Sequence, residues 1–362
     1  MVSIDKQFWE GRSVFVTGHT GFKGSWLTLW LHNLGAAVHG YALEAPTEPA
    51  MFDVAHVTGA VASNTLGDLA DLVRLKSSLR SAQPEIVFHL AAQSLVRESY
   101  RDPLSTLATN VMGTASLLEA ARGIDSLRAI VLVTTDKVYE NHESMHAYRE
   151  VDALGGNDPY SASKAAAEIV AASYRASFFS QMTRRSAQVA TARAGNVIGG
   201  GDWAADRLVP DCVHAFTVGQ PVRLRFPQAV RPWQHVLEPL AGYLQLSEKL
   251  WGTEGRGFAR AWNFGPDATG DATVAEVAKI AARMWGRDAA VECEALEEVP
   301  HEASLLRLDS TDARSKLGWK PRWSLECALE KTVRWYQAWA RGADVRALTV
   351  EQIQAYEIAT GE

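Results

Sequence analysis

The chain is poor in cysteine. Cys212, Cys293 and Cys327 are the only three among 362 residues. They form no CxxC pair and no metal-ligand spacing, so neither a disulfide framework nor a metal site is expected, and reduced thiols suit a cytoplasmic setting. Basic excess is missing as well. Lys and Arg number 36 against 42 Asp and Glu, a formal charge of −6, which gives no overall attraction to nucleic acid. An anionic ligand would need a local basic pocket. No run of about 18 apolar residues occurs, and the opening "MVSIDKQFWEGRSVFV" has no signal-peptide core; neither export nor membrane association is expected. Repeats and low-complexity segments are absent too. What is left is ordinary globular composition, 47% hydrophobic and 22% charged, long enough for two domains or one sheet domain with a smaller lobe.

Along the chain, short apolar runs alternate with helical patterns. "SVFVT" (13–17), "AAVHGYAL", "GAVASNTLGD", "EIVFHLAA", "LRAIVLVTT" and "AQVATARAG" read as six strands. Between them lie helical stretches: one after residue 24 that Gly35 stops, "LADLVRLKSSLRSAQ", "PLSTLATNVMGTASLLEAAR", and one over 161–177. Such alternation predicts a Rossmann-type, doubly wound parallel α/β sheet with right-handed crossovers, and ligands at the carboxyl ends of its strands. After about residue 195 the pattern loosens into Gly-, Trp- and Pro-rich loops. Residues 1–195 are therefore read as a dinucleotide-binding domain with returning segments from later in the chain. Residues 196–362 are read mainly as a smaller α/β substrate-binding lobe.

Between the first strand and its helix lies "VTGHTGFKGSWL". Gly18 would permit a tight turn, Gly21 a close backbone approach to a pyrophosphate, and Gly24 close packing of helix and strand. The helix N-terminus supplies unpaired N–H groups and partial positive charge. Glu44, near the end of the second strand, is placed for an adenosine ribose. "HGYALEAPTEP" has no Lys or Arg for a 2′-phosphate, which favours NAD. Asp68 and Leu69 are placed to flank adenine, with a helix cap by Asp68 as the plain alternative.

Tyr160 and Lys164, in "YSASK", stand one helical turn apart. The ammonium is expected to lower the phenol's pKa and make it a base. Strand five ends in "TTDKVYEN", placing Thr135, Asp136 and Lys137 where α/β enzymes keep their chemistry. Thr135 can hydrogen-bond a substrate oxygen. Asp136 offers an acid and Lys137 a possible base; a surface ion pair is the plain alternative.

Together with "HLAAQSLVRESY", "ARAGNVIGGGDWAADRLVPD", "RPWQHVLEPLAGYL", "WNFGP" and "HEASLLRLD", these segments resemble the extended short-chain dehydrogenase/reductase superfamily of NAD-dependent epimerases and dehydratases. The resemblance runs from about residue 8 to 340 and is narrowest to 4,6-dehydratases of the CDP-sugar branch. It implies that CDP-glucose is oxidised at C4, loses water across C5 and C6, and is reduced at C6, with NAD recycled. The implied product is a CDP-4-keto-6-deoxysugar for deoxysugar and O-antigen synthesis. Tyr160 is the implied C4 base, Lys164 its partner and ribose ligand, Thr135 the O4 donor, and Asp136 the acid that expels the C6 hydroxyl, its pKa raised by burial. The dTDP-sugar branch carries Glu where this chain has Lys137, so Lys137, water or Tyr160 is the C5 base. The resemblance also assigns Thr20, Phe22, Lys23, Leu90, Ala91, Ala92, Gln93 and Thr109 to the cofactor. To the substrate it assigns Ser94, Arg97, Asn196, Arg207, Leu208, Arg231 and His301, with Arg231 foremost for the diphosphate. His301 and His235 read in their own context as structural. Trp203 is a candidate to stack on the pyrimidine. A homodimer or homotetramer is implied. An epimerase or dehydratase acting on a dTDP-, GDP- or UDP-sugar, or an inactive NAD-binding homologue, are the alternatives.

Overall fold

Residues 4–179, 187–266, 270–286, 289–293 and 305–359 are described by a computed structural model. β1 (Ser13–Thr17), β2 (Ala37–Ala42), β3 (Ser63–Leu66), β4 (Ile86–His89), β5 (Ala129–Val133) and β6 (Gln188–Ala194) build one sheet with the edge strand Ala261–Phe264. Its order is Ala261–Phe264, β6, β5, β4, β1, β2, β3. Every neighbouring pair is parallel. The chain runs outward through β2 and β3, then crosses back to place β4 beside β1. That reversal opens a crevice at the strands' carboxyl ends between β1 and β4.

Both faces of the sheet are covered, and strand alternation sorts the core accordingly. Val14, Val16, Phe88 and Val131 pack with Trp26, Trp30 and Leu240 on one side. Phe15, Val87, Ile130 and Leu132 pack with Leu75, Leu79 and Leu117 on the other. The helix Phe22–Asn33 is buried from Gly24 through Leu31. Apolar residues all round a helix require cover all round it, and late segments supply some of it. The Trp26 indole donates to Gly200 O (2.9 Å) and the Trp30 indole to Glu357 Oε1 (2.7 Å), in the terminal helix Val345–Ile358.

The edge strand escapes the sequence reading. Trp262 and Asn263 pair with Ala192 and Arg193 of β6, but four residues between loops carry no readable period. The helix expected over 103–122 is interrupted by a π turn, Ala108–Met112, between Pro103–Leu107 and Gly113–Ala121. Inside that turn Asn110 accepts from Gln93 N and donates to Gln93 O and Ser163 Oγ. The helix that carries Tyr160 and Lys164 runs from Pro159 to Tyr174, capped by Asp158, and passes into a second π turn, Arg175–Phe179. The helix Leu72–Ala82 is capped by Asp71, whose carboxylate accepts from Arg74 N, while Asp68 caps only the local turn at Ala70.

Candidate active site

The crevice is a cavity of about 950 Å³. Gly18, with φ +74°, turns the chain so tightly that a Cβ there would lie 2.6 Å from Ala91 N. A Cβ at Gly24 would lie 2.1 Å from Gly18 O, so the first helical turn packs directly on the loop. Gly21 differs. Its Cβ would meet nothing nearer than Gly18 O at 3.4 Å, and it caps the helix without a side-chain hydrogen bond. The first N–H groups of the helix are thus left to an outside acceptor, and a Cβ at Gly21 would intrude on it. This is a cradle that fits a dinucleotide pyrophosphate.

Thr20, Phe22, Lys23, Glu44, Asp68, Leu69, Leu90, Ala91, Ala92 and Thr109 line the same cavity. Gln93 does not: its side chain folds back onto Leu95 and Thr106. Burial, then the charges of Arg207 and Lys164, push the Lys23 ammonium down to about 8.

At the end of β5, Thr135, Asp136, Lys137, Tyr160 and Lys164 converge on this cavity. Thr135 Oγ donates to Asp136 Oδ1 (2.9 Å), and its side chain also hydrogen-bonds Tyr160. Asp136 is 2% exposed, and its Oδ2 has no hydrogen-bond partner. Burial raises its carboxyl above the usual range against Lys137, Thr135 and Arg231. Lys164 Nζ donates to Val133 O (3.2 Å), and burial lowers it to about 8 against the pull of Glu168. The tyrosine departs from the sequence expectation. Burial drives its phenol up to about 12; the Thr135 hydroxyl and Arg207 oppose this without prevailing. Desolvating a phenolate outweighs nearby positive charge here.

The chain's negative balance reverses on this wall: eight Lys and Arg line the cavity against seven carboxylates. Arg231 is 3% exposed, with Nη1 donating to Val230 O (3.0 Å). Arg207 bridges Asp202 (2.8 Å) and Ser94 Oγ (3.0 Å), and Arg97 pairs with Asp206 (3.1 Å), which also holds Arg225. Asn196 and Leu208 complete the lining from the sequence reading. His301 lies outside the described residues. Trp203 borders the cavity, its ring lying at an angle against Trp335, Tyr336 and Trp339, with centroids 5.1–5.8 Å away. His235 is buried edge-on between Trp26 and Trp323, a core histidine held neutral by burial, which takes it down to about 3.

Sequence reasoning missed Asp202 and Asp206, which hold Arg207, Arg97 and Arg225, and the buried pair Glu168–Arg193 (2.9 Å) behind Tyr160 and Lys164. Glu168 follows Lys164 by four residues, so helical spacing alone could have placed it on the same face.

A parallel sheet with a glycine cradle at β1 and a Tyr–Lys pair beside the end of β5 defines an extended short-chain dehydrogenase/reductase. Within that class the chain belongs to the GDP-mannose 4,6 dehydratase family, whose model matches residues 15–332. It is 48% identical over 359 residues to the CDP-glucose 4,6-dehydratase of Salmonella typhimurium, covering 99% of each chain. Its identity to a dTDP-glucose 4,6-dehydratase of Streptomyces griseus is 30%, over 75% of this chain and 76% of that one. Among solved structures, UDP-glucose 4-epimerase of Thermotoga maritima with UDP-glucose shares the fold at TM-score 0.78 and 22% identity, covering 90% and 99% of the two chains. The dTDP-glucose 4,6-dehydratase of Bacillus anthracis, solved with NAD, shares it at TM-score 0.74 and 21% identity, covering 93% and 100%.

Proposed function

We propose that the chain is an NAD-dependent hydro-lyase converting CDP-D-glucose to CDP-4-dehydro-6-deoxy-D-glucose and water. The observation that carries this reading is the 48% identity to a CDP-glucose 4,6-dehydratase across 99% of both chains. The buried Asp136 beside Thr135 and Tyr160, its carboxyl raised by burial, supports it, since an epimerase needs no acid to expel a C6 hydroxyl.

NAD, when bound in the Gly18–Gly24 cradle, supplies the hydride acceptor for C4 and the hydride donor for C6. Thr135 donates to O4 and Tyr160 removes the O4 proton. Tyr160 reaches this state from about 12, so its deprotonation depends on the positive charge gathered around it, including Lys164. The C4 ketone makes the C5 proton acidic; Lys137, water or Tyr160 takes it, and a proton returns to C5 as hydride reaches C6. Asp136, its carboxyl raised by burial, is the acid that gives a proton to the departing C6 hydroxyl, which leaves as water. Arg231 and Arg207 face the diphosphate, and Asn196, Ser94, Arg97 and Leu208 line the rest of the substrate path.

Residues 1–195 carry the cofactor side and residues 196–362 mainly the substrate side in this proposal, with Ala261–Phe264 returning to the sheet. We also propose a homodimer or homotetramer, supported by the exposed Leu104, Met112 and Ile169 on helices beside the site (77%, 63% and 61% exposed). The same reading places the enzyme in the cytoplasm, making a deoxysugar for surface polysaccharide; among the described residues no helix is long and apolar enough to cross a membrane.

The test incubates the protein and NAD with CDP-, dTDP-, GDP- and UDP-glucose separately. Base-induced ultraviolet absorbance then reports a 4-keto-6-deoxysugar. Product from CDP-glucose is expected; product only from another nucleotide sugar, or a C4 epimer without dehydration, overturns the assignment.

A further inference from the structure

Behind the catalytic residues runs a largely buried chain of polar groups. Glu168, 4% exposed, receives four hydrogen bonds: Thr134 Oγ (2.6 Å), Thr191 Oγ (2.6 Å), and Nε (2.9 Å) and Nη2 (3.1 Å) of Arg193. Arg193, 3% exposed, passes the connection on, its Nη1 donating to the Tyr139 hydroxyl (2.8 Å). That hydroxyl donates to Asn263 Oδ1 on the edge strand (2.6 Å). Asn263 Nδ2 in turn donates to Tyr148 O (2.8 Å) and Asp309 O (3.1 Å). One connected set of bonds therefore links the helix Pro159–Tyr174, Thr134 just past β5, β6, the edge strand and the loop that follows β5.

Stability does not account for it. A buried ion pair is commonly matched or exceeded by apolar residues of equal volume. What the pair provides is fixed geometry at one place. Lys164 holds Val133 O, and Glu168, one helical turn further on, holds the hydroxyl of Thr134. The helix thus grips two successive residues at the end of β5, and the next two are Thr135 and Asp136.

We propose that Glu168 is a positioning residue: held by Arg193, it fixes the end of β5 so that Thr135 and Asp136 meet the sugar in register with Tyr160 and Lys164. Its reach to Lys164 is electrostatic as well. The charged and titratable groups around Lys164 are Glu168 and Tyr160 on its own helix, Lys23 from the first helix and His89 from β4. Burial keeps His89 neutral, down to about 3, and Lys23 is a like charge, so Glu168 is the carboxylate that opposes loss of the Lys164 proton. Burial alone would raise Glu168's carboxyl, but Arg193, Thr134 and Thr191 overcome it and hold it ionised. Arg175, also within its field, adds in the same direction.

The positioning role rests on the dehydratase reading above; the effect on Lys164 does not, and the test separates them. Lys164 is titrated in the protein alone by NMR after reductive [13C]methylation, its signal assigned by loss in Lys164→Met. Glu168→Gln is expected to lower its midpoint by about one unit. The double variant Glu168→Gln/Arg193→Gln, which removes the buried carboxylate and its guanidinium together, is read in its place should the single variant not fold. Thr134→Val keeps every charge and is expected to leave the Lys164 midpoint unchanged while lowering kcat for CDP-glucose about tenfold at unchanged KM. An unshifted Lys164 midpoint in a folded Glu168 variant overturns the electrostatic link. Wild-type kcat in Thr134→Val overturns the positioning role. A wild-type protein inactive on CDP-glucose sinks the dehydratase assignment and with it the positioning role, and the titration still decides the link to Lys164.

Discussion

A methyl group added at Gly24 separates the structural from the ligand-binding part of the glycine cradle. It would sit 2.1 Å from Gly18 O and 2.8 Å from both Gly18 C and His19 Cα. All three are backbone atoms, so no rotamer change relieves the clash and the helix start must slide. Overpacking of this kind costs about 1–3 kcal/mol, here at the upper end, while alanine recovers about 1 kcal/mol of helix propensity. A net loss near 2 kcal/mol follows. At about 2.1 cal/mol/K per residue, the unfolding entropy of 362 residues converts this to a Tm lower by roughly 2–3 °C. Gly21→Ala should do the opposite. With φ −79° and its nearest atom at 3.4 Å, alanine is accommodated and Tm moves by less than about 1 °C. Its methyl group projects toward the cradle, so NAD affinity should fall at least tenfold, about 1.4 kcal/mol. Scanning calorimetry and NAD titration calorimetry on the two variants provide the check. An unchanged Tm in Gly24→Ala, or wild-type NAD affinity in Gly21→Ala, refutes this division of labour.

Asp136→Asn should slow dehydration about a hundredfold or more while reduced nicotinamide still forms in a single turnover, seen by its near-ultraviolet absorbance. The same substitution should raise Tm above neutrality. The raised carboxyl means that ionising Asp136 costs the folded state, a cost that appears as pH climbs and that asparagine removes. Arg231→Met, matched in length and stripped of charge, should raise KM for CDP-glucose about 10- to 100-fold with a smaller change in kcat, measured by steady-state kinetics. Glu238 accepts from the Tyr356 hydroxyl (2.6 Å) and from Arg322 N and Trp323 N. Burial pushes it up to about 7 against those bonds. Its contribution to stability is full below about 4.5 and is lost as pH rises through about 7. Wild-type Tm should therefore fall more between about pH 6 and pH 8 than that of Glu238→Gln; parallel slopes would refute the assignment.

The strands were legible where sequence alone suffices. "SVFVT" is β1 to the residue, and "AQVATARAG" brackets β6, because buried parallel strands are dense in β-branched residues between turns. The edge strand was not legible, since its four residues owe their conformation to β6 rather than to any pattern of their own. The π turn at Ala108–Met112 was hidden because a helix with one extra residue in its ladder keeps nearly the same apolar spacing. At the site, residue types showed where Tyr160, Lys164, Thr135 and Asp136 stand. They did not show burial, and burial sets the direction of every shift among them. Glu168 and Arg193 were in plain view, yet an ion pair becomes visible only when sheet pairing brings β6 beside the end of β5.

The helix that carries the glycine cradle ends at Asn33, but the acceptor of Trp30's indole proton is Glu357. More than three hundred residues separate the two. During synthesis, at about 5–20 residues per second, this apolar helix therefore leaves the ribosome long before the Glu357 cover exists. This cover over Trp30 can form only after residue 357 has been made. Stalled or prematurely terminated chains should accordingly expose Trp26 and Trp30, making them targets for chaperones and proteases.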